Sequence, residues 1–168
     1  MNWPAFGTFG SDFMTSTITI RPAVIADLET LLQFEQGVIR AERPFDSTLG
    51  DDPISYYDIK ELIIAPHILL LVAETGEQII GSGYARIEPA KAYNKHEQYA
   101  YLGFMYVDDA WRGRGVNQQI LDGLKQWAKS QGIGELRLEV YQHNQSAIRA
   151  YEKAGFAKHM ILMRIGLE

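Results

Sequence analysis

Apolar positions recur along this chain in two rhythms, and the switches between them mark out its elements. Residues 17–21 alternate β-branched and polar side chains, which predicts a strand stopped by Pro22. Over residues 24–40, Val24, Leu28, Leu31, Leu32, Phe34, Val38 and Ile39 return at helical spacing. A second helix is predicted over 53–64, opened by Pro53 at a first-turn position and closed before Pro66. Three strands follow at 68–73, 78–87 and 99–107. Gly76 marks a hairpin between the first two, and a longer polar link, 88–98, precedes the third. Val116, Ile120, Leu121, Leu124, Trp127 and Ala128 form one stripe of an amphipathic helix over 116–129, ended by Gly132 and Gly134. Leu136, Leu138 and Val140 alternate within a half-buried strand at 135–141. A short helix at 146–154 has Asn144 as N-cap and Gly155 at its left-handed C-terminal position, and a last strand is expected at 156–167. The order β-α-α-β-β-β-α-β-α-β defines a mixed α/β fold.

Residues 1–16 scatter Trp3, Phe6, Phe9 and Phe13 among Gly, Ser and Thr without a period. They are expected to be a poorly ordered extension, with Met14 an alternative biological start and 17–168 a single domain. The chain's 168 residues suffice for one sizeable core. A net charge of −5 argues against a nucleic-acid partner, which needs a basic face. The absence of cysteine removes disulfides, thiolate nucleophiles and zinc–thiolate sites together. The four histidines are scattered without the close pairing of a metal-binding helix, so no metal is expected. No apolar run is long enough to span a membrane and the N-terminus lacks the features of a signal peptide. The expectation is a cytoplasmic enzyme without a membrane partner.

The chemistry concentrates in two segments. Trp111-Arg112-Gly113-Arg114-Gly115-Val116-Asn117 reads as a strand-to-helix turn. A helix starting after Gly115 leaves its first N–H groups unpaired at the positive end of its dipole, which suits a phosphate. Gly113 and Gly115 permit positive φ, and Arg112 and Arg114 add charge for a pyrophosphate. Neither a Walker loop nor a dinucleotide fingerprint fits these residues. The second segment, Asn144 to Phe156, places Tyr151 on the short helix.

Residues 107–116 resemble the acetyl-coenzyme A signature of the GCN5-related N-acetyltransferases (GNAT), (Arg or Gln)-x-x-Gly-x-(Gly or Ala). Residues 144–156 resemble that superfamily's Asn-x-x-Ala-x-x-x-Tyr-x-x-x-Gly-Phe segment at every specified position. The element order fits from Thr17 onward. Asn117 departs from the pattern, standing where the family has Gly or Ala; its side chain offers hydrogen bonds of its own, and a modest effect on coenzyme A affinity is expected.

The resemblance implies a mostly antiparallel central sheet flanked by helices, and acetyl-CoA as the donor to a primary amine of a small molecule or peptide. It also implies direct transfer in a ternary complex, in a monomer or homodimer. Cofactor contacts fall to Met105, Tyr106 and Val107 on a splayed strand, to Arg112, Gly113, Arg114, Gly115, Val116 and Asn117 in the turn, and to Asn144. A backbone N–H of the 99–107 strand would serve the oxyanion. Tyr151 takes the position of the acid that protonates the departing sulfur. Glu139 stands before Tyr151 at the spacing of the base-like glutamate of enzymes that acetylate N-termini of ribosomal proteins. Glu88, His143 and a water chain remain alternatives for the base. The alternative function is a non-catalytic acyl-CoA-binding or regulatory domain.

On the acceptor side the resemblance assigns a wall to the first two helices and their loop, which carry Glu35, Glu42, Asp46, Asp51 and Asp52 with Tyr56 and Tyr57 beyond. Acid and aromatic groups together suit a cationic amine, as a solvated surface loop would also look. After Phe156 the chain provides for one strand where many relatives have two. The acceptor side is therefore expected to be open, or completed by a partner subunit.

Overall fold

The alternating segments come together, in the computed structural model, as one five-stranded sheet of order β1-β2-β3-β4-β5. The strands are β1 (Thr19–Pro22), β2 (Ile68–Thr75), β3 (Gln78–Pro89), β4 (Gln98–Val107) and β5 (Leu136–Arg137). The structure describes residues 17–167; the expected 1–16 extension and the Met14 start lie outside the described residues. Neighbouring strands are antiparallel except β4 and β5, which are parallel. The mixed, mostly antiparallel sheet with flanking helices is the class expected.

Strand alternation sorts the sheet's apolar residues to two faces. Leu71, Ala73, Ile80, Ala85, Ala100 and Leu102 pack under α3 (Val116–Ser130), whose Val116, Ile120, Leu121, Leu124 and Ala128 are buried. Leu70, Val72, Tyr84 and Phe104 face α1 (Leu28–Glu42) and α2 (Ile59–Ile64), meeting Leu31, Phe34, Val38, Ile59 and Leu62. The fourth helix, α4 (Gln145–Lys153), has Asn144 as the expected N-cap, its Oδ1 accepting from Ala147 N–H at 3.1 Å. Gly155 follows it at φ +96°, as expected of its left-handed position.

Four expectations need correction. The first helix begins at Leu28, because Val24 is extended and its N–H donates to buried Asp27, whose carboxylate also takes two bonds from Arg21. The second helix starts at Ile59 rather than Pro53. Buried Glu35 gathers the hydroxyl of Ser55 and the N–H groups of Tyr56 and Tyr57, at 2.9, 2.7 and 2.8 Å, which holds that stretch out of a helix. The helix is then capped by Asp58, which accepts from Glu61 N–H. The strand expected at 135–141 pairs only over Leu136–Arg137, and the last strand, at 156–167, forms no ladder. Alternation fixes an extended conformation but supplies no partner. β5 diverges after Arg137, leaving Met160, Ile161, Leu162, Met163, Ile165 and Leu167 exposed. Arg164 holds this segment by donating to Asp46 and Thr48.

Candidate functional site

β4 carries the feature on which the site turns. Phe104 adopts φ +53° and the β3–β4 register slips between Ser82 and Tyr84, so Phe104 and Met105 together oppose Gly83. This is a β-bulge, with one extra residue on β4. Its effect on direction follows from the fixed points at either end. Ala100 N–H donates across the β5 edge to Glu135 O at 2.9 Å, while Asp108 N–H donates across the opposite edge to Ile80 O at 2.9 Å. Alternation from those two ends turns the N–H groups of Met105 and Val107 to the β5 side. There β5 has already left, since its pairing covers only Ala100 and Tyr101. The strand is splayed, as the resemblance implied, and offers two outward main-chain donors.

That open edge runs into the Gly-rich turn. Gly113 and Gly115 sit at φ +74° and +79°, and a Cβ on either would meet nothing within 4 Å. Glycine is needed there for backbone conformation, not for room. Gln119 N–H is the first in α3 to reach a helical carbonyl, that of Gly115 at 3.1 Å, so those of Val116, Asn117 and Gln118 remain available to an anion.

The other expected cofactor residues divide. The side chain of Val116 is buried in the core, which leaves its N–H as its available group. Arg112 is half committed: Nε donates to Val107 O at 3.3 Å and Nη2 pairs with Asp109 at 2.7 Å. Arg114 lies over the Trp111 ring, 4.8 Å from its centroid. Asn117 is partly buried, and Asn144 is engaged as the α4 cap. Met105 and Val107 face α3, whereas the Tyr106 ring lies on the other face against Phe34, at 4.5 Å between centroids.

Tyr151 packs against the α3-side core, edge-on to Phe156 at 6.0 Å. Burial, and secondarily the charge of Glu42, push its phenol up to about 12, so it is held protonated at neutral pH. Glu139 is exposed on the diverging segment beyond β5, where its charge raises the phenol of Tyr101 after burial has done so. Glu88 is paired with Arg86, so its charge is already compensated. His143 is exposed in the turn before α4.

The expected acceptor wall assembles only in part. Asp51 and Asp52 are exposed, with Asp52 paired to Arg43. Asp46 is buried and held below the usual carboxylate range by the Thr48 hydroxyl, then the Thr48 N–H and Arg164. Tyr141 ties the segment beyond β5 to the loop after α1, donating to Asp46 at 3.2 Å and stacking on Phe45 at 6.1 Å between centroids. Sequence reasoning named Tyr57 but missed Tyr84 and Tyr101, which pack with it on the α1 side; the shared face of those two tyrosines on β3 and β4 was the available signal. Two open concavities flank α1, and neither includes Tyr151 or any residue from 112 to 117. Among the described residues no helix is long and apolar enough to cross a membrane, and no group of His, Asp and Glu could hold a metal ion.

The fold that carries these features is shared with solved structures. One is a predicted acetyltransferase of Clostridium acetobutylicum in complex with acetyl-CoA, with a TM-score of 0.68, 19% identity, and 89% of this chain and 96% of that chain covered. Residues 32–156 match the model of the Acetyltransferase (GNAT) family, and the chain belongs to that family. Its relatives include Bacillus subtilis YwnH, provisionally named a phosphinothricin acetyltransferase, 34% identical over 84% of this chain and 85% of that protein. Bacillus subtilis YycN, an uncharacterised N-acetyltransferase, is 34% identical over 58% of this chain; the match spans 61% of YycN's own length. This places the chain among acetyl-CoA-dependent N-acetyltransferases, with acetyl-CoA as the donor of the class.

Proposed function

We propose that this chain carries the acetyl group of acetyl-CoA directly to a primary amine of a small molecule or peptide, in a ternary complex. The observation that carries the reading is the unpaired β4 edge, with the outward N–H groups of Met105 and Val107, followed by the left-handed turn at Gly113 and Gly115 and the free N–H groups that open α3: two sets of main-chain donors suited to one long anionic ligand. Acetyl-CoA, when bound, supplies a thioester whose carbonyl carbon the amine attacks. The chain's part is to bind, align and move protons. The N–H groups at the start of α3 take the pyrophosphate with Arg114, and Val107 N–H aligns the pantetheine arm along β4. Met105 N–H faces the growing oxyanion; removing one such donor from an enzyme typically costs about 10²–10³-fold in kcat.

An alkylamine with a pKa of about 10.4 must lose a proton before it attacks. Glu139, exposed to solvent on the segment beyond β5, takes it and passes it to water. As the C–S bond breaks, Tyr151 gives its proton to the sulfur and is reprotonated by the proton the new amide nitrogen loses. With no cysteine in the chain, no thiol of the protein carries the acetyl group.

The test pairs calorimetric titration of acetyl-CoA with a thiol-release assay across primary amines. Binding together with amine-dependent thiol release is the expected result. No heat of binding at roughly 1 mM, the upper end of ordinary substrate affinities, overturns the reading.

A further inference from the structure

Gly37 is buried in the middle of α1. Glycine is a poor helix former beside alanine, so its place there asks for a reason. The reason is a side chain of β4. A Cβ on Gly37 would lie 2.9 Å from Tyr106 Cζ and 3.0 Å from Tyr106 Oη. The obstacle is an aromatic ring rather than a flexible tip, and Phe34, one turn earlier on α1, holds that ring at 4.5 Å between centroids. The Tyr106 ring therefore lies directly on the α1 backbone, in the gap that the missing Cβ leaves. Its main chain is approached as closely from the sheet: a Cβ on Gly81 would lie 2.9 Å from Tyr106 O.

Tyr106 stands between Met105 and Val107, the two residues whose N–H groups turn to the open edge of β4. Met105 and Val107 pack on the α3 side, so within 105–107 the Tyr106 side chain alone packs toward α1. Past the bulge, this strand end has β3 on one edge, where Tyr106 pairs with Ser82 and Val107 with Gly81. On the other edge β5 has diverged after Arg137. A strand end with a ladder on one side only can tilt, and the tilt is set by what its two faces touch. α3 backs one face, and the Tyr106 ring seated at Gly37 backs the other. A methyl group added at Gly37 displaces the ring, and the ring is carried by the very backbone that aims the two donors.

We infer that Gly37 is a positioning residue for the transfer site: by letting the Tyr106 ring seat on α1 it fixes the aim of the Met105 and Val107 N–H groups. Gly37 acts through Tyr106 and makes no contact of its own with the cofactor. This rests on the acetyl-transfer reading and adds α1 to the elements that hold the cofactor edge of β4.

The experiment compares wild type, Gly37→Ala, Tyr106→Leu and the double variant by calorimetric titration of acetyl-CoA and by thermal denaturation. Gly37→Ala should raise the acetyl-CoA Kd by about five-fold or more, the loss of one average main-chain hydrogen bond. Leucine keeps an apolar contact for Phe34 but lacks the ring atoms that a Cβ at residue 37 would meet. Adding Gly37→Ala to Tyr106→Leu should therefore change Kd by less than about two-fold, the coupling expected of two residues in contact. In that background alanine should also raise Tm, as its better helix propensity dictates. A role in packing alone would lower Tm in Gly37→Ala without moving Kd. An unchanged Kd in Gly37→Ala overturns the inference, as does the same loss of affinity in both backgrounds. Should Gly37→Ala fail to fold, the double variant decides: it must fold with the affinity of Tyr106→Leu, and failure to do so overturns the inference. A wild-type protein that binds no acetyl-CoA overturns the acetyl-transfer reading and this inference with it, whereas the other outcomes leave that reading standing.

Discussion

Replacing Gly115 by alanine separates the conformational role of the turn from its role toward the cofactor. Gly115 sits at φ +79° with open space where a Cβ would go, so the substitution meets no steric obstacle beyond its own backbone. Holding an L-residue in the left-handed region costs about 1–2 kcal/mol. Stiffening the unfolded chain returns about 0.4–1 kcal/mol. The net loss is therefore on the order of 1 kcal/mol, which for a protein of this size lowers Tm by about 2–4 °C. Gly76, in the β2–β3 hairpin at φ +58° and equally free of neighbours, provides a matched control with the same strain far from the turn.

The two variants should thus lose similar stability and differ in binding. If the turn relaxes out of the left-handed region, the N–H groups of residues 115–118 re-aim. A hydrogen bond from such a donor to a charged group contributes about 1.5–3 kcal/mol. Loss of a single one raises Kd by more than about ten-fold, since ten-fold corresponds to about 1.4 kcal/mol. Thermal denaturation and calorimetric titration of acetyl-CoA on wild type, Gly115→Ala and Gly76→Ala read both quantities. Equal Kd values in all three proteins, alongside the expected Tm losses, would falsify the assignment of this turn to the pyrophosphate.

Tyr151→Phe should lower kcat by about 10²–10⁴-fold, the usual contribution of a general acid, with the acetyl-CoA Kd within two-fold. Because the wild-type phenol is pushed up to about 12, no fall in kcat from its ionisation should occur at lower pH; a limb centred near pH 9 that Tyr151→Phe abolishes would refute that. The raised phenol also adds stability that is complete below its unfolded pKa of about 10 and is lost as pH rises through the folded value. Gly83→Ala would set a Cβ 2.5 Å from Met105 Sδ and 2.9 Å from Ile120 Cγ2. The flexible methionine yields first, so a loss of about 1–3 kcal/mol in denaturant unfolding should come with weaker acetyl-CoA binding, and stability loss without any binding change counts against Met105 at the cofactor. Glu35→Ala leaves the N–H groups of Tyr56 and Tyr57 without an acceptor, at about 1–3 kcal/mol for each buried donor; urea unfolding should show a loss of at least about 2 kcal/mol, and wild-type stability would show that Glu35 does not hold the wall.

Elements with a strong period were legible: α3, the β2–β3 hairpin and α4 begin and end within a residue or two of where apolar spacing, Gly76 and the Asn144–Gly155 pair put them. The turn at 112–117 was legible too, because glycine spacing and arginines are local signals. What the sequence hid depends on distant partners. The 53–58 stretch reads as helix until Glu35, far off in the chain but one helix away in space, takes its N–H groups. The alternation of 156–167 says strand, yet pairing is a property of two segments, and among the described residues no second one lies alongside. Glu42 read as one acid among several in a polar loop. Packing shows it half-buried at the end of α1 beside Tyr56.

The bulge at Phe104 was the deepest omission, since a phenylalanine at positive φ has no local signature, and it decides which way the end of β4 presents its side chains and N–H groups. Strict alternation from Ala100 would put the side chains of Met105 and Val107 beside Tyr101, facing α1, and aim their N–H groups into β3. One extra residue reverses both. Met105 and Val107 then turn to the α3 side, and their N–H groups turn outward where β5 has diverged. The splay opens the gap and the bulge aims donors into it, so neither alone would present a row of N–H groups to a ligand. The left-handed Phe104 costs about 1–3 kcal/mol. Burial of its ring against Tyr57 and the bond from buried Ser82 Oγ to Phe104 O, at 3.1 Å, offset that strain. Tyr57 in turn is held by Glu35 and abuts Tyr56, so the contact that stabilises the bulge on β4 is tied through Glu35 to the stretch that precedes α2.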